Sequence, residues 1–347
     1  MKKEATPAGP QKPIRFTVVI PCRNEAHTIA AVLADLERQD CPELFEVIVA
    51  EGRSKDATRD LLEKMVENRA FRFSLRIVDN PDKSIPSGLN RAVSAATGEY
   101  IVRIDAHARL PEHYLRMMTD ALAEGAGDVV GPQVLNVPNS SSATAKTIAA
   151  MLNSRFGNGG TPSRSSIARP TPVVHTVMSC YRRAVWKAIG GYNESLLSNE
   201  DYEFDYRASR AGFSIVSLPR PIFQLIARSS LWELARQRWR YGKWKAKVLI
   251  LHPGSVRLRQ IIPILFLPAT IWLAATELPF ASMLLAIYCG IAGYSVLNDP
   301  SIRNADFSLK VKCVAMSPVV AAITHFVWSA GAFYGFINRP KPNRNNE

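Results

Sequence analysis

The sequence has few cysteines, and they are not arranged as a covalent or zinc-bound scaffold. The five thiols, at positions 22, 41, 180, 289 and 313, form no CxxC pair and are odd in number. Their spacing resembles neither a disulfide framework nor a zinc site. We therefore expect reduced thiols, as is usual in the cytosol.

The start of the chain lacks the apolar stretch of a secretory signal peptide. It reads "MKKEATPAGPQKP", in which two lysines are followed by proline and small or polar residues. This pattern excludes a signal peptide as the reading of these residues. We expect a disordered lead-in over residues 1–14 and a first folded part that lies in the cytosol.

Negative charge is also in short supply. The chain has 30 Asp plus Glu against 43 Lys plus Arg, which gives a net charge of +13. A basic balance suits nucleic acid, an anionic membrane surface or phosphate-bearing substrates, and it does not choose among them.

Charge of either sign is nearly absent from one C-terminal stretch. Glu277 is the only charged residue between Ile261 and Leu297, and "ELP" at 277–279 divides the stretch into runs of 16 and 18 residues. An untilted helix needs about 20 residues to span a bilayer, so each run is slightly short. This length predicts a tilted hairpin or a re-entrant pair. The run from Val311 to Ile337 is long enough to span.

Basic residues on both sides of these runs leave the number of crossings open. Three full crossings would place the basic tail, residues 338–347, outside the cell, whereas two crossings plus a re-entrant segment would keep it inside. We predict membrane attachment through residues 261–337 and leave the helix count undecided.

The segment before them, residues 229–260, combines basic and aromatic residues. Six Lys or Arg alternate with large rings: Arg236, Arg238, Arg240, Lys243, Lys245 and Lys247 with Trp232, Trp239, Tyr241 and Trp244. A basic amphipathic helix with tryptophan is typical of a membrane surface, and an ordinary surface helix is the alternative. Because an apolar stretch follows directly, we favour the membrane.

Residues 15–228 read as an α/β domain. Strand patterns at 16–21, 45–52, 74–80 and 99–105 alternate with helix patterns at 25–39, 56–69 and 86–97, which predicts a parallel sheet. Ligands bind such sheets beyond the carboxyl ends of the strands. The next region, 111–225, is less regular. It contains a Gly-, Ser- and Pro-rich segment, 156–172, that we expect to be a mobile loop, a short strand followed by a helix over 175–192, and a helix over 199–212.

Two groups of polar residues carry the candidate chemistry. Asp105 and His107 follow the fourth strand and either hold a divalent metal or form a polar turn; an oxygen and an imidazole donor suit Mg²⁺ or Mn²⁺. The second group is "NEDYEFDYR", with four carboxylates in six residues. Repulsion between them can raise one pKa and so produce a general base, while a solvated acidic helix face is the alternative reading.

Four motifs in order make the chain resemble the family 2 glycosyltransferases, which have the GT-A fold. They are "VVIPCRNEAHTI", "VIVAEGRSKDAT", "GLNRAVSAATGEYIVRIDAH" and "NEDYEFDYRASRAG". The D-x-H form in "RIDAHARL" and the downstream "RQRWRYGKWKA" look like the subgroup similar to the succinoglycan-biosynthesis glucosyltransferase. The resemblance covers residues from about 15 to 250.

The resemblance implies a nucleotide-sugar site on the first three motifs. Pro21, Arg23 and Glu25 would lie along the nucleoside, with Arg53 at the same strand ends. Glu51 stands where the family usually has an aspartate that contacts uracil, so the resemblance implies a contact with the base through a side chain one carbon longer. These residues are predicted to bind the sugar nucleotide.

The remaining roles concern the metal and the acceptor. Asp105 would contact the ribose and diphosphate and, with His107, hold the metal. Asp201 would deprotonate the acceptor hydroxyl, with Glu203 as a nearby second carboxylate. A segment at 237–242 takes the place of the family's Q-x-x-R-W element with altered spacing, so Arg238 and Arg240 are assigned only to diphosphate or membrane contact.

The activity that the resemblance implies is inverting transfer of a sugar, with glucose expected, from a UDP-sugar to a polyprenyl-diphosphate-linked oligosaccharide. It would use Mn²⁺ or Mg²⁺ and serve exopolysaccharide synthesis at the cell inner membrane, with the catalytic domain in the cytoplasm and membrane lipids rather than nucleic acid as partners. The loop at 156–172 would close over the donor and exclude water. A processive polysaccharide synthase and a non-enzymatic membrane scaffold or nucleic-acid binder are the alternatives.

Overall fold

The computed structural model describes residues 16–41, 45–69, 71–161, 163 and 167–338. The predicted lead-in at 1–14 and the tail from residue 339 onward therefore lie outside the described residues. So do residues 162 and 164–166 in the middle of the segment at 156–172.

The described residues form one mixed eight-stranded sheet. Its strands are β1 (Phe16–Cys22), β2 (Phe45–Glu51), β3 (Ser74–Asp79), β4 (Tyr100–Arg103), β5 (Val129–Val137), β6 (Thr171–Pro172), β7 (Cys180–Arg182) and β8 (Ile215–Ile226). Their order across the sheet is β3-β2-β1-β4-β7-β5-β8-β6.

The first four strands pair in parallel, as the alternation of patterns predicts. The prediction of a purely parallel sheet does not extend further. β7 lies antiparallel between β4 and β5, and β6 is antiparallel to β8. β7 is therefore the strand that joins the parallel half of the sheet to the half that carries β5 and β8.

Eight helices accompany this sheet. They are α1 (Ile29–Glu37), α2 (Thr58–Glu67), α3 (Ile85–Ala95), α4 (Tyr114–Ala123), α5 (Ala143–Asn153), α6 (Arg155–Asn158), α7 (Arg183–Ile189) and α8 (Glu200–Arg210). Buried apolar residues form two clusters, one containing α1 and α4 and the other α3, α7 and α8. α6 and β6 shorten the loop predicted at 156–172, since both of its ends have regular structure.

The C-terminal part is helical. It contains α9 (Leu231–Leu251), α10 (Leu258–Thr276), α11 (Leu278–Leu297), α12 (Pro300–Arg303), α13 (Phe307–Ala322) and α14 (Trp328–Asn338), with a π-helical turn over Ile323–Val327. Among the described residues, two helices are long and apolar enough to cross a membrane: α11, and the continuous helix Phe307–Asn338. The first ten residues of α11 pack against little else in the protein, and its exposed side chains are mainly apolar.

Close backbone contact joins α9 to α14. A Cβ atom added at Gly331 would lie 2.5 Å from the carbonyl oxygen of Trp239, and one at Gly335 would lie 2.4 Å from that of Lys243. Small residues four apart are typical of tightly packed membrane helices. On its other side α9 buries Trp244, Lys245 and Val248 against the α/β domain. The helix predicted at the membrane surface is thus part of the protein core along one face.

Candidate active site

Hydrogen bonds join the loops that follow β1 and β2. Asn24 has a left-handed φ of 55°, which turns its backbone so that its N–H donates to the Ser54 hydroxyl at 2.9 Å. The Asn24 side-chain oxygen accepts from the N–H of Lys55 at 2.7 Å, and the N–H of Glu25 donates to Thr58 at 2.8 Å. These bonds fix the two motifs as one rigid edge of the sheet.

Glu51 organises this edge from inside. Its carboxylate is fully buried and accepts from the N–H of Ser54 at 2.7 Å and from the N–H of Arg53 at 3.1 Å. Arg59 approaches the same carboxylate at 3.4 Å. The Glu51 carboxylate therefore holds the loop that follows β2 and is close to Arg59 on α2. The predicted contact with a nucleobase stays a prediction, and Arg53, which is exposed and lies 3.4 Å from Asp79, is the more accessible of the two.

Pro21 and Arg23 lie at the end of β1. Pro21 is paired with Ala50 in the sheet, and Arg23 packs on Gly52, where an added Cβ would come within 3.0 Å of it. The Arg23 Nε is buried and has no hydrogen-bond partner among the described residues. It is therefore a donor that a ligand at this edge can use.

Asp105 and His107 lie in the loop just beyond β4. The His107 Nδ1 is 3.2 Å from Glu25 Oε1, and the Thr28 hydroxyl donates to Glu25 Oε2 at 2.7 Å. The hydrogen bond between His107 and Glu25 raises the pKa of His107, although burial of the ring acts to lower it. Burial acts to raise the pKa of Glu25, but the bonds from His107 and Thr28 outweigh it and lower that pKa. Glu25 thus holds the imidazole of His107 beside Asp105.

Arg103, the last residue of β4, links this loop to the acidic helix. Its guanidinium is buried, with Nη2 2.9 Å from Glu200 Oε1 and 3.4 Å from Asp105 Oδ1. These acidic neighbours outweigh the desolvation of the guanidinium, so the pKa of Arg103 is raised. The two acidic motifs, which are almost 100 residues apart in the sequence, therefore share one buried cation.

Asp201 is the acidic residue of α8 with an accessible side. Its side chain is 27% exposed, compared with 6% for Glu200 and 1% for Glu203. Burial acts to raise the pKa of Asp201, but the positive charges of His175 and Arg103 outweigh it and lower that pKa. These charges therefore favour the ionised form of Asp201, whose side chain is also partly open to solvent.

Glu203 is placed differently. It forms a two-pronged ion pair with Arg207 at 2.7 and 2.8 Å, and His252 Nε2 lies 2.9 Å from Glu203 Oε1. With its carboxylate buried and both oxygens engaged, it anchors α8 to the chain after α9. The structure does not bring Glu203 to the accessible carboxylate of Asp201, although the sequence pattern groups the two.

Asp105 and His107 have donor atoms that suit a divalent metal. Because Glu25 engages Nδ1 of His107, the ring's Nε2 is left for a metal. Asp105 is 28% exposed and supplies an oxygen donor. Within the described residues no group of three His, Cys, Asp or Glu side chains forms a ready-made metal site. A metal held here would need substrate oxygens and water for its remaining positions, which is usual for Mg²⁺.

The structure thus brings most of the predicted site residues to one edge, formed by the ends of β1, β2 and β4, with α8 connected to it. Arg238 and Arg240 lie on α9, where Arg240 is exposed and its guanidinium carbon is 5.7 Å from the ring centre of Tyr241. Arg103 and His175 have no role in the sequence-based prediction. A charged residue ending the apolar run "YIVR" is a signal that could have found Arg103.

Known proteins are similar to this chain along most of its length. The model of the family described as "Glycosyltransferase like family 2" matches residues 12–243. The succinoglycan biosynthesis protein ExoA of Rhizobium meliloti is 32% identical over 323 residues, covering 90% of this chain and 92% of that protein. A dolichyl N-acetyl-alpha-D-glucosaminyl phosphate 3-beta-D-2,3-diacetamido-2,3-dideoxy-beta-D-glucuronosyltransferase of Methanococcus voltae is 23% identical, covering 93% and 97%.

Two solved structures share the fold. The mannosyltransferase PcManGT of Pyrobaculum calidifontis, solved with GDP-Man and Mn²⁺, has a TM-score of 0.60 at 18% identity and covers 93% of this chain and 90% of that chain. TarS 1–349 of S. aureus has a TM-score of 0.50 at 17% identity and covers 92% and 91%. These are GT-A glycosyltransferases, and the predicted fold is confirmed. With a family model that matches two thirds of its length, the chain belongs to the family 2 glycosyltransferases.

Proposed function

We propose that this glycosyltransferase moves a sugar, with glucose as the expected one, from a UDP-sugar to a polyprenyl-diphosphate-linked oligosaccharide with inversion at the anomeric carbon. The product would enter exopolysaccharide synthesis. Similarity to the succinoglycan biosynthesis protein over nearly the whole chain supports this assignment of substrate class and pathway type.

One observation carries the proposal: Arg103 joins Asp105 to the helix of Asp201. A donor whose diphosphate lies at Asp105 would therefore have its anomeric carbon near an ionised carboxylate. An acceptor hydroxyl is a poor nucleophile and needs such a base to take its proton. Attack from the side opposite to the leaving diphosphate inverts the anomeric centre.

The leaving group requires positive charge. Asp105 and His107 would hold Mn²⁺ or Mg²⁺, which supplies Lewis-acid neutralisation of the diphosphate when bound. The Arg23 Nε, which is buried without a partner among the described residues, is a donor at the same edge. Fixed donors of this kind stabilise charge as it develops and need little rearrangement.

A lipid-linked acceptor requires a membrane next to the site, and the C-terminal helices would attach the protein to it. α11 and Phe307–Asn338 are apolar enough to span, and α9 presents Trp232, Arg236 and Arg240 on its exposed face. Arginine and tryptophan together suit an anionic lipid surface. We place the protein in the cell inner membrane with its catalytic domain in the cytoplasm, where nucleotide sugars are made.

A donor screen tests the proposal. Full-length protein in membranes is incubated with Mn²⁺, one of several nucleotide sugars and a polyprenyl-diphosphate-linked saccharide extract, and release of the nucleoside diphosphate is measured. UDP release that requires the lipid extract is expected, and Asp201→Asn should lower it about 10²- to 10⁴-fold. Near wild-type release by Asp201→Asn would remove Asp201 from the role of base. Release with a nucleotide sugar other than a UDP-sugar would correct the donor.

A further inference from the structure

His175 lies between two carboxylates of α8, and the predicted site includes neither this residue nor the contacts it makes. It is located between β6 and β7, and its Nδ1 is 2.8 Å from Asp205 Oδ2. The N–H of Thr176 donates to the same oxygen at 2.9 Å. Asp205, which is 2% exposed, therefore fixes both the backbone and the ring at this point of the chain.

The other ring nitrogen faces the base. His175 Nε2 lies 3.6 Å from Asp201 Oδ2, while Asp201 Oδ1 accepts the N–H of Tyr202 at 2.7 Å. With Nδ1 engaged by Asp205, the ring has one possible orientation, in which Nε2 is directed at Asp201. The carboxylate of Asp201 is thereby held from two sides, and its remaining surface is the part open to an acceptor.

The charges around His175 favour its cationic form. Asp201 and Asp205 on α8 face the ring, the Tyr202 ring packs edge-on at 5.7 Å between centroids, and Lys245 on α9 is the nearby opposing charge. Burial lowers the pKa of His175, but the two carboxylates outweigh it and raise that pKa. On the other side of Asp201 stand Glu200, which repels it, and Arg103, which attracts it.

From this geometry we propose that His175, held by Asp205, is a positioning residue that orients Asp201 and stabilises its negative charge. The inference rests on the proposed role of Asp201 as the base. Without His175, Asp201 would stand beside Glu200 and Asp205 with Arg103 as its remaining cation. The carboxylate would then be protonated at a higher pH and would be free to rotate away from the acceptor.

Two neutral substitutions separate the two contacts of the ring. His175→Asn retains a side-chain amide at the position of Nδ1, toward Asp205, and lacks a group at Nε2. His175→Gln places its amide near Nε2, toward Asp201, and loses the bond to Asp205. Asp205→Asn keeps the shape of α8 and removes the charge that fixes the ring.

The first readout is the pH dependence of kcat/KM for UDP release from UDP-glucose with the lipid extract. Because the base must be ionised, activity falls as the pH drops through the pKa of Asp201. Loss of the cation raises this pKa, so the acid limb of His175→Asn and His175→Gln should move to higher pH. Activity at the acid end should fall about tenfold or more and recover toward neutral or alkaline pH. An acid limb that stays at the wild-type position in His175→Gln and His175→Asn would overturn the inference.

The second readout does not depend on the donor or the acceptor. Imidazole ¹⁵N spectra of the full-length protein in lipid nanodiscs are recorded against pH, and His175 is assigned from the signals missing in His175→Gln. Asp201→Asn and Asp205→Asn should each make His175 titrate at lower pH. An unchanged midpoint for His175 would refute the contacts themselves. An active Asp201→Asn with a shifted His175 would instead refute the proposed base and leave the ion pair intact.

Discussion

The clearest prediction concerns two carboxylates two residues apart on α8. The substitutions are Asp201→Asn and Glu203→Gln, which each remove one negative charge with almost no change in volume. The sequence pattern groups both residues as catalytic. The structure gives them different surroundings, since Glu203 is 1% exposed and bonded to Arg207 and His252 while Asp201 has an open side.

The expected cost of Glu203→Gln follows from its contacts. Breaking a buried ion pair by removing one partner costs about 3–5 kcal/mol. Arg207 retains two backbone acceptors, the carbonyl oxygens of Ile189 at 2.5 Å and Gly191 at 2.6 Å, and the glutamine can still accept one bond. We therefore expect a loss of about 2–3 kcal/mol in the free energy of unfolding.

Asp201→Asn should have the opposite profile. It removes the attraction to His175. It also removes the repulsion from Glu200, whose pKa is raised by burial and by the charge of Asp201. These effects partly cancel, so its free energy of unfolding should change by about 1 kcal/mol or less. Its turnover should fall by about 10²- to 10⁴-fold because the acceptor proton has no carboxylate to receive it.

Thermal unfolding and UDP release of the same nanodisc preparations measure both effects. For a domain of this size each kcal/mol shifts Tm by about 2–4 °C, so Glu203→Gln should unfold about 5–10 °C below the wild type. Its UDP release per folded molecule, measured well below its Tm, should stay within a few-fold of the wild type. A Glu203→Gln protein with wild-type Tm and a hundredfold slower turnover would refute the structural role given to Glu203.

Three further predictions concern the metal, the helix contact and the lipid surface. His107→Ala should raise the Mn²⁺ concentration needed for half-maximal UDP release. Chelation should abolish release by the wild type until Mn²⁺ is restored. An unchanged Mn²⁺ requirement in His107→Ala would exclude His107 as a ligand. Gly331→Val should lower the free energy of unfolding by about 1–3 kcal/mol because its Cβ meets a backbone oxygen of α9, whereas Gly290→Ala, where nothing lies within 4 Å, should be neutral or stabilising. Arg236→Gln combined with Arg240→Gln should lower UDP release in nanodiscs rich in anionic lipid and leave it unchanged in nanodiscs of neutral lipid. An equal loss in both would show that charge is not the cause.

The parallel half of the sheet could be predicted because its strands are continuous apolar runs separated by amphipathic helices. β5 and β8 could not be predicted in this way. Their sequences, "VVGPQVLNV" and "IVSLPRPIFQLI", contain glycine or proline, which are uncommon inside strands. β7, three residues long, is the short strand predicted before the helix within 175–192. β6, two residues long, lies in the segment predicted as a loop and is a strand because it pairs with β8.

The residue types of the site could be predicted more fully than its connections. Asp105 and Asp201 stand out as polar groups at an expected edge and in an acidic motif. That Arg103 joins them depends on contacts between residues 97 apart, and the roles of His175 and Glu203 depend on which face of α8 is buried. Four acidic residues in six look alike in the sequence. Packing distinguishes them, because Glu200 pairs with Arg103, Glu203 pairs with Arg207 and His252, and Asp201 and Asp205 share His175.

The same packing connects the base to the membrane part of the protein. Lys245 of α9 lies 3.0 Å from the ring centre of Tyr202, which follows Asp201 directly, and the Tyr202 hydroxyl donates to the Ser255 carbonyl at 2.9 Å. α9 in turn contacts α14 through Gly331 and its neighbours. α8, which carries the proposed base, is therefore connected through α9 to the apolar helices. The proposed donor edge is formed by the ends of β1, β2 and β4. An acceptor with a lipid anchor would approach from the side of α8 and α9, and a soluble sugar nucleotide from the strand ends, so that the two substrates need not share an entrance.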